Sequence, residues 1–252
     1  MAALPRRLRA DGACRRGCGL APPLRQHRLE DGTPVLHFDE IDSTNAEAGR
    51  RASAGKPAPF WVVADRQTAG RARRGRDWSS LEGNLFASYV CRPGFTPERA
   101  ALSTFATSLA VADTVSSFLP DGAARVALKW PNDVLVGGRK LAGVLIERVA
   151  GKVVVGVGLN VHRPAGGWPG EIEGVAAALD ELGAVGLVGA VGVVGPMHRL
   201  AVVRELIAGL EGMAVGGAGA DPGVVDFWRK RCVQLGRRLV LLSDGREVRG
   251  EV

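Results

Sequence analysis

The chain has 252 residues, a formal net charge of +7 and 46% hydrophobic residues. That length suits one large domain, or one domain with a small appendage, and the apolar share can bury a real core. No apolar run approaches a bilayer span, and the charge permits nucleic-acid binding without demanding it, because the excess is arginine spread along the chain.

Residues 1–34 read as a disordered basic extension, rich in Arg, Gly and Pro. They lack the apolar core of a signal peptide and the periodicity of a helix-turn-helix. Cys14 and Cys18 form C-x3-C, but no further ligand pair follows at similar spacing. With Cys91 and Cys232 they read as free thiols of a reducing cytoplasm. "PVLHFDEID" then reads as a strand and "STNAEAGRRASAG" as a helix starting at Ser43 or Thr44, with Thr44 and Glu47 at capping-box spacing. "FWVVAD" is a buried strand, followed by the loop "QTAGRARRGRDW", Gln67 to Trp78. "NLFASYVCR" alternates like a strand, and "PERAALSTFATSLAVADTVSSFL" has the periodicity of the main core helix, opened by Pro97.

"RVALKW", "DVLVGG", "KLAGVLIERVA" and "KVVVGVGLNV" follow as strands, with tight turns at Gly137-Gly138 and Ala150-Gly151. This is an antiparallel meander rather than repeated βαβ units, so an α+β fold is expected. "HRLAVVRELIAGLEGM" and "DPGVVDFWRKRC" read as helices, the second capped by Asp221. Residues 183–195 are a low-complexity Gly/Val/Ala stretch with no physical account. Residues 233–252 contain a hairpin turning at Asp244-Gly245, the opening of a small β-barrel.

Four segments carry candidate chemistry. Arg71, Arg73, Arg74 and Arg76 crowd one loop beside Gly70 and Gly75. Either the loop is simply solvated, or an anion relieves the repulsion: nucleic acid, a membrane surface or a phosphorylated ligand. Glycine lets backbone N–H groups approach an anion, and arginine grips phosphate bidentately. The loop is neither a Walker motif nor a dinucleotide fingerprint, whose middle glycine position is Ala72 here. "KWPND" places Lys129 and Asn132 around Pro131, which belongs at a strand end or edge, while Trp130 suits either the core or a stacking platform. "GGRKLAG" carries Lys140 and Gly143. "GVGLN" has glycines inside a strand, a sign of a bulge or of a closely approaching ligand, and Asn160 either closes a turn or bonds a ligand.

In this order and at these distances, "DSTN", "QTAGRxRRGRxW", "KWPND", "RKLAG" and "GxGxN" together resemble the biotin–protein ligase family, in its form without an N-terminal helix-turn-helix. The resemblance spans Val35 to Cys232 and part of the final hairpin. It implies a mixed, largely antiparallel sheet with flanking helices, of the class II synthetase kind. A catalytic domain over residues 35–232 and an incomplete SH3-like barrel over 233–252 go with it. The implied reaction joins biotin and ATP into biotinyl-5′-AMP, with Mg²⁺ entering mainly through ATP rather than through protein ligands. Biotin then passes to one lysine of a biotin carboxyl carrier domain of a carboxylase. The resemblance also implies a cytoplasmic protein, a homodimer, and neither DNA nor membrane as partner.

The residue roles come from the same resemblance. Ser43, Thr44, Asn45 and Gln67 meet the biotin head. Gly70 and Gly143 leave room for its chain, within a biotin-binding set that also includes Ala72 and Arg73. Arg71 meets the biotin carboxylate and the α-phosphate, and Lys140 stabilises charge at their junction; these two are the catalytic candidates. Arg73, Arg76, Lys129, Asn132 and Asn160 hold the nucleotide phosphates and Mg²⁺, and Trp78 stacks near adenine. Two departures stand out. Ala72 occupies a position where the family loop has glycine, and a positive φ there would cost on the order of 1 kcal/mol. The barrel is cut short at Val252. Both lead to the expectation of weakened loop closure and impaired nucleotide binding. The competing readings are a biotin-binding relic that releases no pyrophosphate, a lipoate ligase, and a basic nucleic-acid-binding protein with steep salt dependence.

Overall fold

The structure, a computed structural model, describes residues 25–29, 31–91, 97–120, 126–183, 222–243 and 246–251. Its strands are β1 (Arg25–Arg28), β2 (Pro34–Ile41), β3 (Phe60–Gln67), β4 (Leu85–Val90), β5 (Val126–Lys129), β6 (Asp133–Val136), β7 (Arg139–Val149), β8 (Lys152–Leu159), β9 (Arg238–Ser243) and β10 (Arg246–Glu251). The helices are α1 (Thr44–Ser53), α2 (Pro97–Phe118) and α3 (Pro222–Arg231). Eight strands form one sheet in the order β1-β2-β3-β4-β8-β7-β6-β5, and β9 pairs with β10 in a separate two-stranded sheet. In the large sheet β2 and β3 run parallel and the other neighbours antiparallel, so the sheet is mixed and largely antiparallel.

Both faces of this sheet are covered. On β3, Phe60, Val62 and Ala64 pack with Ala48 and Ala52 of α1, while Trp61 and Val63 belong to the core shared with Leu109, Val111 and Val115 of α2 and Trp228 of α3. Successive side chains of a strand point to opposite faces, and when both are dry the strand reads as an unbroken apolar run. That is why "FWVVA" lacks alternation. Cys91 lies in the α2-side core, and burial pushes its thiol up to about 12, which keeps it inert.

The hairpin turns form where expected. Gly137-Gly138 and Ala150-Gly151 all have positive φ, at 58°, 78°, 50° and 73°, the handedness that two-residue hairpins need.

Two expectations require correction. Arg25–Arg28 is not disordered: it pairs antiparallel with β2, Arg25 opposite His37 and Arg28 opposite Pro34. All four residues are exposed, so the strand is held by backbone bonds and carries no hydropathy signal. The helix cap is Ser43, extended at φ −157°, whose Oγ accepts from Ala46 N at 3.5 Å. Glu47 is no capping-box partner. It is buried, and accepts from Arg50 Nε at 2.8 Å and Arg51 Nε at 2.6 Å. The rest of the basic extension (residues 1–24), most of the 183–195 stretch, the helix expected from "HRLAVVRELIAGLEGM", and Asp221, Asp244 and Gly245 lie outside the described residues.

Candidate active site

A cavity of about 600 Å³ lies where the start of α1, the arginine loop, the "KWPND" turn and strands β7 and β8 converge. Of the residues singled out from the sequence, Ser43, Thr44, Asn45, Gln67, Arg71, Ala72, Arg73, Arg76, Trp78, Lys129, Asn132, Lys140 and Gly143 line it. Gly70 and Asn160 do not.

One end is uncharged, and its polar groups hold one another. Thr44 donates to Gln67 Oε1 from its backbone N at 2.8 Å and from its hydroxyl at 3.1 Å. Gln67 Nε2 donates to Ser80 Oγ at 3.1 Å. From β4, Ser88 Oγ donates to Asn45 Oδ1 at 2.6 Å and lies 2.8 Å from the Thr44 hydroxyl. Asn45 Nδ2 donates to Glu147 Oε2 at 2.8 Å and to Leu145 O at 3.3 Å. A hydroxyl donor on one side and a carboxylate acceptor on the other leave this amide a single orientation. Asn45 also presses on β8: a Cβ at Gly156 would stand 2.2 Å from its Oδ1. Just outside this cluster, hydrogen bonds from Arg50 at 2.6 and 2.7 Å hold the Asp42 carboxyl below the usual carboxylate range.

The other end is cationic. The loop closes on itself through Trp78 N to Gly70 O at 2.9 Å and Ala72 N to Arg76 O at 2.8 Å, around a 3₁₀ turn at Arg73–Gly75. Ala72 is extended, at φ −122° and ψ −178°, so the expected strain at this position is absent. The left-handed conformations fall instead on Arg74 at φ 59° and Gly75 at φ 69°. Arg71 reaches Glu147 Oε1 at 2.9 Å, and Arg73 reaches Asn132 Oδ1 at 3.5 Å. Asn132 Nδ2 is fixed on Val144 O at 2.7 Å. Arg74, Arg76 and Lys129 are exposed.

Lys140 enters the cavity through a bulge. Val134 pairs with Ala142 but Leu135 pairs with Lys140, which leaves Leu141 as an extra residue in β7. Leu141 and Ala142 therefore both join the α2-side core, and Lys140 turns to the cavity side with Gly143. Its ammonium lies 2.7 Å from Asp133 Oδ1 and 5.2 Å from the centre of the Trp78 ring.

Trp78 lies on two glycines that face each other in the β7–β8 register, Gly143 and Gly158. A Cβ would come within 2.8 Å of the indole at Gly143 and within 2.7 Å at Gly158. The indole Nε1 is buried without a hydrogen-bond partner. Gly143 thus makes room for Trp78 itself. Gly70 likewise serves the loop's own closure, since a Cβ there would sit 2.3 Å from Ser80 Oγ. Asn160 is buried, and its amide donates to Ala177 O at 3.1 Å, fastening the segment beyond β8 to the sheet. This matches the turn-closing alternative, and Asn160 does not line the cavity.

Sequence reasoning missed Glu147, Asp133 and Ser88, and gave Arg74, which lines the cavity, no role beyond its charge. Glu147 stands beside Arg148 at the end of an apolar strand segment, where a charged pair reads as solvent-facing. Among the described residues no group of three His, Cys, Asp or Glu could hold a metal, and no helix is long and apolar enough to cross a membrane.

A neutral hydrogen-bonding end joined to a cationic end, on a mixed sheet with covered faces, suits a ligase that activates a small acid with a nucleotide. The model of the biotin/lipoate A/B protein ligase family matches residues 37–163, and the chain belongs to that family. It is similar to the biotin–[acetyl-CoA-carboxylase] ligase of Mycobacterium tuberculosis, 34% identical over 243 residues, covering 92% of this chain and 86% of that protein. Its structure resembles the biotin protein ligase of Aquifex aeolicus in complex with biotin and ATP, with a TM-score of 0.66, 28% identity and coverage of 86% of this chain and 85% of that one. It also resembles the Leishmania major biotin protein ligase in complex with biotinyl-5-AMP, with a TM-score of 0.64, 25% identity and coverage of 83% and 87%.

Proposed function

We propose that this chain is an ATP-dependent, AMP-forming biotin–protein ligase that modifies a lysine of a biotin carboxyl carrier domain. The observation that carries this reading is the joining of the uncharged Thr44–Asn45–Gln67 cluster, held from behind by Ser88, to the arginine loop within one cavity. A ureido ring offers paired donors and acceptors that such a cluster can match, whereas the dithiolane of lipoate offers none. The polar end therefore favours biotin over lipoate.

In the first step a biotin carboxylate oxygen attacks the α-phosphorus of ATP and pyrophosphate leaves. Two anions must meet, so fixed cations lower the barrier. Arg71 spans the carboxylate and α-phosphate, and Lys140 sits at their junction. Arg73, Arg76, Lys129 and Asn132 take the remaining phosphates of MgATP, and Trp78 supplies the aromatic face for adenine. In the second step the carrier lysine amine attacks the acyl carbon and AMP leaves, so no protein nucleophile is needed. A closed loop keeps water from the mixed anhydride. Asn160 takes no part in this scheme, and the extended Ala72 removes the strain argument for an impaired enzyme.

The same reading assigns catalysis to residues 35–232, and treats β9 and β10 as part of a C-terminal barrel whose neighbouring Gln234 meets the cavity rim through Trp130 N. It includes a cytoplasmic location, a carboxylase carrier as partner and a homodimer built on a sheet edge. Labelled biotin, MgATP and a carrier domain test it. The expected result is one biotin on one carrier lysine, dependent on ATP. Transfer of lipoate in preference to biotin would overturn it.

A further inference from the structure

Among the described residues, Glu147 is the carboxylate whose two oxygens reach one residue of each end of the cavity. Its Oε2 accepts from Asn45 Nδ2 at 2.8 Å, and its Oε1 pairs with Arg71 at 2.9 Å. Asn45 is 4% exposed, so its amide cannot exchange this acceptor for water without a cost. Arg71 is 51% exposed and stands on the loop, so its pairing is the weaker and more exchangeable arm. Within the loop, Arg71 forms a backbone bridge with Asp77, and the Arg76 side chain bonds to the loop's own Arg73 O. The loop's arginine contacts to the body of the protein run through Arg71 to Glu147 and, at a longer 3.5 Å, through Arg73 to Asn132, while Gln67 and Trp78 anchor its two ends.

We propose that Glu147 is a positioning residue for the ligase reaction. One oxygen fixes the Asn45 amide for the neutral head of the acid substrate. The other holds Arg71 docked until a substrate anion takes its place. The residue thereby ties recognition of the uncharged ring to the placement of the anion-binding loop. The substrate identity in this inference rests on the biotin-ligase reading; the docking of the loop does not.

Two variants separate the arms. In Glu147→Gln the side-chain oxygen still accepts from Asn45, but the amide nitrogen turns a donor toward Arg71, which is itself only a donor. In Glu147→Ala both arms are lost. Biotin affinity is measured by calorimetry without ATP, and loop docking by the rate of tryptic cleavage within Arg71–Arg76, mapped by mass spectrometry. Thermal melting identifies any variant that fails to fold, and the glutamine variant keeps the docking arm testable if the alanine variant does not. Glu147→Gln is expected to hold biotin within threefold of the parent while loop cleavage rises at least fivefold. Glu147→Ala is expected to weaken biotin at least tenfold with the same rise in cleavage. Unchanged loop cleavage in both variants overturns the docking arm, and equal biotin affinity in the two variants overturns the Asn45 arm. If the parent chain binds no biotin, the biotin reading fails, and the cleavage rates still decide whether Glu147 docks the loop.

Discussion

The two ends of the cavity are built on opposite principles. At the neutral end, Thr44, Asn45, Gln67 and Ser88 are bonded to one another or to fixed backbone and side-chain partners, and Thr44, Asn45 and Ser88 are buried. At the cationic end, Arg71, Arg74, Arg76 and Lys129 are exposed, and the loop's arginines touch the body through Arg71 to Glu147 and Arg73 to Asn132. Donors and acceptors preorganised in a dry site discriminate shape and hydrogen-bonding pattern, because a mismatched ligand leaves buried groups unpaired. Exposed guanidinium groups supply charge that salt screens, and they adapt to a triphosphate of many conformers. Under the proposed function, selectivity for the acid would belong to the rigid end, and neutralisation of phosphate to the adaptable one.

Lys140 sits between the two, and its loss should have the largest effect. Lys140→Ala is expected to slow adenylate formation about 10²- to 10³-fold, as removal of a preorganised charge-stabilising group does, with biotin affinity far less affected. Single-turnover kinetics check it, and equal losses in rate and biotin affinity would break the division. Gly156→Ala attacks the rigid end alone. Its Cβ would meet Asn45 Oδ1 at 2.2 Å, so biotin affinity should fall about tenfold to a hundredfold by overpacking. The KM for ATP, measured with saturating biotin, should stay put. Replacing Arg76 and Lys129 together with alanine attacks the other end: the KM for ATP should rise about tenfold, and less in high salt, while calorimetry shows biotin binding unchanged. Ala72→Gly should do least. Because Ala72 is extended at φ −122°, glycine relieves nothing, and biotin Kd should change by less than about twofold. A clear tightening would show that the loop must reach a left-handed conformation at this position when ligand binds.

The contrast also explains what could be read in advance. The motif residues of both ends stand together in the sequence as "DSTN", "GRARRGR" and "KWPND", and the fold brings them to one cavity. The antiparallel meander followed from turn chemistry, since Gly137-Gly138 and Ala150-Gly151 mark two-residue hairpins. What escaped depends on geometry that no local pattern carries. Lys140 faces the cavity only because Leu141 is an extra residue in β7, and counting alternate positions back from Gly143 would place it on the opposite face. Glu147 gains its meaning from Asn45, a hundred and two positions away in sequence. Gly70 and Gly143, read from the sequence as leaving room for a ligand's chain, leave room in this structure for the chain's own Ser80 and Trp78. Asn160 shows the reverse: a residue of the right type beside the right motif, whose amide is committed to Ala177.

The most direct test is to incubate the chain with biotin and MgATP, follow pyrophosphate release, and weigh the bound product, with lipoate as a competing acid. The account predicts biotinyl-5′-AMP, formed from biotin in preference to lipoate, with one pyrophosphate released per adenylate. Biotin binding without pyrophosphate release, or adenylation of lipoate in its place, would contradict it.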